Sequence, residues 1–306
     1  MKRNEDRTRL PAGFLSALKR VCDREWGLPP TFMDDLKRVY ETVEDFAPEE
    51  LRRLGDTLKK PLEDCRKRLE ETLSRLPQDH PILCPVSLYG AMGLGRFETA
   101  HTRTLAWLLD PRKEHGFGVA LLESLLRAVT GQEGPLPITV QEVRAEYFYR
   151  TGRDKGSGRM DVWVKGRWAE GGTQTAGRQW LLVIEAKIDA SEGEHQLIAY
   201  EKAIKRLYPG IPESEVHRVF LTPKGKDPES AGAHWNSLSF FKMAQIFCSR
   251  YDFLRTKPGA DFLRLYIAGV LRDILDPPIG RESILHDPFG ALSFLTGIGP
   301  QEGERT

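Results

Sequence analysis

Residues 180–188 read WLLVIEAKI, and this run indicates both the architecture of the chain and the place of its chemistry. Its five leading apolar residues predict a central strand that is covered on both faces. Glu185 and Lys187 follow two residues apart, so on a strand their side chains point to the same face. Two charged groups at the end of a buried strand cost desolvation free energy unless something compensates them. A divalent cation would compensate the carboxylate, and a phosphate or a water molecule would compensate the lysine.

The elements around this strand alternate in type. Aromatic-rich or apolar runs at 140–149, 159–165 and 216–222 predict three further strands. Apolar residues at three- and four-residue spacing predict helices at 98–109, 118–129, 192–208, 240–250 and 261–275. The order of helix, three strands, helix and strand predicts an α/β sandwich with a mixed sheet.

Residues 1–80 differ in character from the rest. Apolar residues recur there at helical spacing and form a leucine seam: Leu51, Leu54, Leu58, Leu62, Cys65, Leu69, Leu73 and Leu76. The seam either packs on the chain's own core or forms a partner surface, such as a homodimer through the N-terminal helices. We therefore predict a helical N-terminal region at 1–80, a central domain at 81–276 and an irregular, Gly- and Pro-rich tail at 277–306.

Composition restricts the class of protein. The 306 residues are 40% hydrophobic and 29% charged with a net charge of +1, which is typical of a soluble globular protein. A nearly neutral chain has no global field for nucleic acid, so any phosphate-binding surface must be local. The four cysteines form no CxxC pair, and no apolar run approaches the ~20 residues of a membrane helix. We expect a cytoplasmic protein without a membrane partner.

Asp161 lies in the strand that precedes the central one. If these two strands form a hairpin, with residues 166–178 as its loop, Asp161 lies beside Glu185. Mg²⁺ prefers oxygen ligands and keeps several waters, so two carboxylates and substrate oxygens suffice to hold it. A bound metal ion stabilises the charge of phosphodiester hydrolysis and lowers the pKa of the attacking water. Lys187, with its pKa lowered by burial, would orient or deprotonate that water.

Asp161 and the run Glu185-Ala186-Lys187 resemble the motif of the PD-(D/E)XK nuclease superfamily, with Met160 in place of the name-giving proline. The resemblance covers the chain from about residue 95 to about residue 225. It implies a restriction-endonuclease-like αβββαβ core and a metal-dependent nuclease that uses Mg²⁺, with Mn²⁺ as a substitute. Nucleic acid is then the partner, with DNA preferred over RNA, and restriction, phage defence or repair is the setting.

Two further elements carry the resemblance. Gln196 and Tyr200 are similar to the QxxxY element of the RecB-type branch, where they would position the DNA backbone or the metal-bound water. The helix at 98–109 is similar to the helix that opens the superfamily's core, and Glu98 maps to a glutamate that serves one bacterial branch as a metal or water ligand. The implied catalytic set is thus Asp161, Glu185, Lys187, Gln196, Tyr200 and Glu98, with Asp161, Glu185 and Glu98 on the metal.

Several features allow two interpretations. The turn before Asp161 carries four cations that form either a phosphate clamp or a solvated loop: Arg150, Arg153, Lys155 and Arg159. Glu142 and Glu146 belong either to a solvated strand face or to the metal site. His101 and His115 have no partner at metal-ligand spacing, so we interpret them as a helix-face hydrogen bonder and a loop residue. The alternative function is an inactive nuclease-fold protein that binds nucleic acid or a protein partner.

Overall fold

The structure is a computed structural model that describes residues 48–150, 157–169, 177–193, 195–229 and 234–298. Side chains are described from residue 59 onwards, except at residue 284. Five strands form one sheet: β1 (Ile138–Arg150), β2 (Ser157–Trp168), β3 (Gln179–Ala186), β4 (Val216–Thr222) and β5 (Asn236–Ser239). The longer α-helices are α1 (Pro48–Arg75), α3 (Glu98–Leu109), α4 (Ala120–Thr130), α5 (Gln196–Leu207), α6 (Phe240–Ser249), α8 (Ala260–Gly269) and α10 (Pro288–Thr296).

Shorter helical segments connect these elements. Three are single α-helical turns: α2 (Leu88–Ala91), α7 (Tyr251–Leu254) and α9 (Ser283–His286). Two 3-10 turns, Pro81–Leu83 and Glu213–Glu215, and a π-helical segment at Val270–Ile274 complete the chain's described elements.

The sheet is mixed, as predicted. Its strands follow the order β1-β2-β3-β4-β5, with β1, β2 and β3 antiparallel and β3, β4 and β5 parallel. The predicted α/β class and the αβββαβ core are confirmed, because α3 precedes β1 and α5 connects β3 to β4. The four-residue strand β5 was not predicted, because none of its residues is buried and it shows no apolar alternation.

The central strand β3 is buried over seven of its eight residues, which agrees with its apolar sequence. On one face of the sheet, Trp163 and Val183 pack with Leu197 and Tyr200 of α5 in a hydrophobic cluster. Helix α3 packs against β1 and β2. These two helices therefore lie beside the strands that carry Asp161 and Glu185.

The described residues form two compact units. One comprises Pro77–Gly280 and residue 298, and the other comprises residues up to Leu76 together with Arg281–Gly297. In the second unit α1 packs against α10, and three seam residues, Cys65, Leu69 and Leu73, are buried. These three of the five seam residues with described side chains therefore pack within their own chain. Residues 1–47 lie outside the described residues.

The prediction of an irregular tail at 277–306 is wrong for residues 283–286 and 288–296, which form α9 and α10. Pro288 occupies the first turn of α10, where a missing backbone N–H costs nothing. Asp287 caps this helix, because its Oδ1 accepts a hydrogen bond from Gly290 N at 2.9 Å. The glycine and proline content of residues 277–306 suggested a loop. Part of this segment instead forms α10, whose Ala291 and Phe294 are buried.

Among the described residues, no helix has both the length and the apolar character needed to cross a membrane. Cys65, Cys84 and Cys248 are buried free thiols.

Candidate active site

A pocket of about 420 Å³ opens at the carboxyl end of β3. Seven of the predicted site residues line it, namely Glu98, Arg159, Asp161, Glu185, Lys187, Gln196 and Tyr200. The remaining lining residues are Tyr149, Ser157, Gly158 and Ala199. The fold thus brings the implied catalytic set into one cavity, although its members span about a hundred residues of sequence.

Glu185 is the most buried carboxylate of the pocket, with 1% of its surface exposed. Its Oε1 accepts hydrogen bonds from Lys187 Nζ at 2.5 Å and from Gln196 Nε2 at 2.6 Å. Its Oε2 is buried and has no hydrogen-bond partner among the described residues. Burial, reinforced by the negative charge of Asp161, raises the pKa of Glu185 to about 8. This carboxylate therefore lacks sufficient positive charge in its surroundings.

Asp161 comes to the same place from the neighbouring strand. The β2–β3 hairpin pairs Val162 with Ile184, so the residues beside them, Asp161 and Glu185, lie next to each other as predicted. Asp161 Oδ2 accepts a hydrogen bond from the backbone N–H of Ala186 at 2.9 Å. Burial raises the pKa of Asp161, and the Ala186 hydrogen bond only partly opposes that effect. Two neighbouring carboxylates are therefore both held in surroundings that disfavour their charged forms.

The prediction that burial lowers the pKa of Lys187 is wrong. Burial does disfavour the ammonium, but the carboxylates of Glu185 and Glu98 outweigh burial and raise the pKa above its ordinary value. The Lys187 side chain is 12% exposed and lies 2.5 Å from Glu185 and 3.4 Å from Glu98. Lys187 is therefore a cation, which donates hydrogen bonds.

Glu98 is the first residue of α3, and its side chain reaches the residues that follow Glu185. Its Oε1 contacts Lys187 Nζ, and its Oε2 accepts the backbone N–H of Ile188 at 3.2 Å. In the described part of the chain, no three His, Cys, Asp or Glu side chains form a group that could hold a metal ion. Glu98 thus contacts Lys187 and Ile188 directly. It does not form, with Asp161 and Glu185, a group of three carboxylates that could hold a metal ion.

Gln196 and Tyr200 share a face of α5, as their four-residue spacing predicts. Gln196 Nε2 donates to Glu185 Oε1 and to Tyr200 Oη, the latter at 2.7 Å. Tyr200 Oη in turn donates to the backbone oxygen of Arg159 at 2.5 Å. Burial, and next the charge of Glu185, raise the pKa of Tyr200, so its hydroxyl stays protonated. A continuous chain of hydrogen bonds therefore links Glu185 to the backbone of β2.

The predicted basic turn is only partly described. Arg159 lines the pocket and Arg150 is exposed at the end of β1. Arg153 and Lys155 lie outside the described residues. Glu142 and Glu146 do not line the pocket; Glu142 pairs with Arg144, and Glu146 pairs with two other arginines.

The two histidines serve structural hydrogen bonds. His101 is buried in α3, and its Nε2 lies 2.9 Å from the carbonyl oxygen of Gly95. The Nε2 of His115, also buried, lies 3.0 Å from the carbonyl oxygen of Asp110. Neither histidine lines the pocket, which agrees with the interpretation from sequence.

Four lining residues were not among the predicted site residues, namely Tyr149, Ser157, Gly158 and Ala199. Tyr149 is buried beside Tyr200, with ring centroids 6.0 Å apart. Gly158 faces Tyr149 across the β1–β2 ladder, and a Cβ at this glycine would lie 2.5 Å from the Tyr149 hydroxyl. The alternation of β1 could have indicated that Tyr149 is buried, but only the strand register shows why position 158 carries no side chain.

Comparison with known proteins agrees with this geometry. A family model described as the PD-(D/E)XK nuclease superfamily matches residues 87–247, which is more than half of the chain. The chain therefore belongs to the PD-(D/E)XK nuclease superfamily. No curated protein and no solved structure matches it. The matched range includes every residue that lines the pocket.

The pocket fits a divalent cation by its chemistry. Asp161 and Glu185 supply oxygen ligands, which Mg²⁺ and Mn²⁺ prefer. The unpartnered Oε2 of Glu185 is a buried acceptor that a cation would satisfy. Burial raises the pKa of both carboxyls, and a bound cation would offset that effect and favour their charged forms. Because Mg²⁺ keeps several waters, two carboxylates can hold it without a third acidic side chain.

Proposed function

We propose that this protein is a metal-dependent nuclease that hydrolyses phosphodiester bonds of DNA, with Mg²⁺ as its metal and Mn²⁺ as a substitute. The observation that carries the proposal is the buried Glu185 beside Asp161, whose free oxygen and raised pKa suit a bound cation. Membership of a nuclease superfamily supports the same class of activity. A scaffold protein gains nothing from such a costly pair of buried carboxylates.

Asp161 and Glu185 would hold the metal ion. When bound, the ion supplies Lewis-acid stabilisation of the phosphate and lowers the pKa of the attacking water. Asp161 is oriented for this role by Ala186 N, and Glu185 by Gln196 Nε2. Fixed ligands of this kind do not have to reorganise when the metal ion binds.

Lys187 would act as a hydrogen-bond donor and a positive charge. Its raised pKa keeps the ammonium protonated, so it can hold the attacking water or stabilise a phosphate oxygen in the transition state. Glu98 contacts this ammonium and the adjacent Ile188 N–H, and it therefore sets the position of the lysine. We also propose that Glu98 completes the metal's surroundings through water, since Mg²⁺ retains part of its hydration.

Gln196 and Tyr200 would maintain the shape of the pocket for substrate. They connect Glu185 to the carbonyl of Arg159, and the guanidinium of Arg159 lies at the rim where a phosphate would enter. Together with Arg150, and with Arg153 and Lys155 of the same turn, Arg159 would clamp the nucleic-acid backbone.

Restriction, phage defence and DNA repair are the settings that the superfamily suggests for a cytoplasmic enzyme of this kind. A homodimer through the N-terminal helices would provide two active sites, one for each strand of a duplex. Sedimentation at working concentration tests this point. A dimer supports it, whereas a monomer that still cuts both strands contradicts it.

The test of the proposed activity is cleavage of labelled DNA and RNA in the presence of Mg²⁺, Mn²⁺ or EDTA. Wild-type protein should cut DNA only with a divalent ion, and Asp161→Ala and Lys187→Ala should each lower the rate by about a hundredfold or more. Lys165→Ala is the matched control, because Lys165 lies on β2 outside the pocket and contacts the ring of Tyr208. Preferential cutting of RNA would change the substrate, and the absence of all cleavage by folded protein would refute the activity.

A further inference from the structure

A second charged cluster lies next to the pocket, centred on Glu146 of β1. This residue has a φ of 52°, in the left-handed region that residues with side chains rarely adopt. It lies opposite Asp161 in the β1–β2 ladder, and the residue pairs on both sides of it keep the same register. The unusual backbone is therefore one strand away from a proposed metal ligand.

The facing strand is irregular at the same level. Met160 and Trp163 are three residues apart, so a regular strand would place them on opposite faces of the sheet. Both belong to the hydrophobic cluster that includes Tyr200 of α5. Around Glu146 and Asp161, the side chains of the paired strands therefore do not simply alternate between the two faces of the sheet. Strained backbone of this kind costs on the order of 1–3 kcal/mol and is found preferentially at ligand-binding sites.

The Glu146 carboxylate is held by two arginines. Its Oε2 accepts hydrogen bonds from Arg103, from Nε at 2.7 Å and from Nη2. Its Oε1 lies 2.8 Å from Nη1 of Arg159. The Glu146 side chain is only 15% exposed, whereas Arg103 is 64% and Arg159 59% exposed. The carboxylate thus lies beneath two outward guanidinium groups, and the cluster has a formal charge of +1.

Both arginines come from elements that also build the pocket. Arg159 lines it, and its backbone oxygen accepts the hydroxyl of Tyr200. Arg103 lies on α3, whose first residue is Glu98. The positive cluster therefore borders the site at which the phosphodiester would be cleaved.

Stability does not account for this arrangement. Ion pairs with exposed arginines contribute about 0–1 kcal/mol each, so the two together are of the same size as the cost of the left-handed Glu146 and leave little net gain. A guanidinium, in contrast, presents five N–H donors in a planar fork that matches phosphate oxygens. Within the described part of the chain, Glu146 engages two nitrogens of Arg103 and one of Arg159, so each fork keeps further donors.

We infer that Arg103 and Arg159, held by Glu146, form a binding site for a backbone phosphate of the substrate strand other than the one that is cleaved. The inference rests on the proposed nuclease function and adds Arg103 and Glu146 to the substrate-binding surface. Glu146 is a positioning residue, because it fixes the two guanidinium groups and does not itself contact the phosphate. A nucleic-acid strand bound here enters the pocket from the rim formed by Arg159.

Binding without cleavage tests this inference. The affinity of a fluorescein-labelled DNA oligonucleotide is measured by anisotropy in EDTA at several salt concentrations, for wild type, Arg103→Ala and Arg103→Lys. Loss of one phosphate contact lowers the slope of log affinity against log salt by about 0.7–0.9. Over a fourfold rise in salt, wild type should then lose about threefold more affinity than Arg103→Ala. Arg103→Lys keeps the charge and should restore most of the slope.

Arg144→Ala is the matched control. Arg144 is 60% exposed and pairs with Glu142 at 2.5 Å, so it resembles Arg103 in exposure and charge pairing, but its partner is Glu142 and not the Glu146 that also holds Arg159. The inference requires that Arg103→Ala lowers affinity and slope while Arg144→Ala does not. Equal effects of the two substitutions, or none from Arg103→Ala in a protein with unchanged Tm, overturn it.

A separate cleavage assay in Mg²⁺ distinguishes failure of the inference from failure of the proposed activity. Cleavage by wild type with no effect of Arg103→Ala on binding overturns the inference alone. Binding that depends on Arg103 without any cleavage overturns the activity alone. Wild-type protein that neither binds nor cleaves DNA overturns both.

Discussion

Replacement of Glu185 by glutamine should change how the stability of the metal-free protein depends on pH. The carboxyl group is 1% exposed, and its pKa rises from an ordinary 4.5 to about 8 in the folded state. Between these values the folded protein keeps the proton that the unfolded chain has lost. The folded state therefore binds more protons, and stability falls as pH rises through this window.

The size of the effect follows from the width of the window. Each pH unit within it lowers the free energy of unfolding by about 1.4 kcal/mol, so the loss from pH 5 to pH 8 is on the order of 4 kcal/mol. Glu185→Gln removes the ionisation and with it this slope. Bound Mg²⁺ favours the ionised carboxylate, so saturating Mg²⁺ should also flatten the wild-type profile.

The assay is urea unfolding at pH 5, 6, 7 and 8 in EDTA, with wild type and Glu185→Gln in parallel. Other groups titrate in the same range: burial lowers the pKa values of His101 and His115, so their contribution to stability increases as pH rises towards 6.5. They are present in both proteins and cancel in the difference. Glu215→Gln is the control for loss of a buried carboxylate outside the pocket, where Glu215 accepts a hydrogen bond from Trp168 at 2.7 Å.

Parallel stability profiles for wild type and Glu185→Gln would refute the reasoning, because they would mean that Glu185 ionises in the folded protein as it does in the unfolded chain. A profile for Glu215→Gln that changes as much as that of Glu185→Gln would show that the effect is not specific to the site.

Three further predictions concern the site and the sheet. Gln196→Ala removes a hydrogen-bond donor to Glu185 and should weaken Mg²⁺ or Mn²⁺ binding by about 10–100-fold in calorimetric titration. An unchanged affinity would show that this hydrogen bond does not affect metal binding by Glu185. Mg²⁺ at a hundred times its dissociation constant should raise the unfolding free energy of wild type by about 2.7 kcal/mol, and EDTA should reverse this gain. Gly166→Ala should lower stability by about 1–3 kcal/mol in urea, because its Cβ would lie 2.2 Å from the ring of Trp180. Gly210→Ala, where no atom lies within 4 Å of the new Cβ, is its control, and an equal loss from both would contradict the packing argument.

Much of the fold could be predicted because local patterns and tertiary structure agree. The apolar run before Glu185 is buried on both faces as its sequence indicates, and the hairpin places Asp161 beside it. The four-residue spacing of Gln196 and Tyr200 likewise predicted a shared helix face, which is confirmed by their hydrogen bond. These features depend on short segments whose periodicity is visible in one dimension.

The features that were missed depend on contacts between distant segments. The pKa of Lys187 is raised because Glu98, 89 residues earlier, adds its charge to that of Glu185, whereas burial alone predicted the opposite direction. Arg103 is an ordinary helical residue in the sequence, and only the structure brings it to Glu146, 43 residues later. Local patterns contain no information on such pairs.

The central claim is that the pocket around Asp161 cleaves nucleic acid with a bound metal ion. Single-turnover cleavage of a labelled DNA, measured for wild type and Asp161→Asn over a series of Mg²⁺ concentrations, tests it most directly. We predict a wild-type rate that rises with Mg²⁺ to a plateau and vanishes in EDTA, together with an Asp161→Asn protein that is folded but does not cleave. Cleavage that persists in EDTA or in Asp161→Asn, or wild-type protein that cuts at no Mg²⁺ concentration, would contradict the claim.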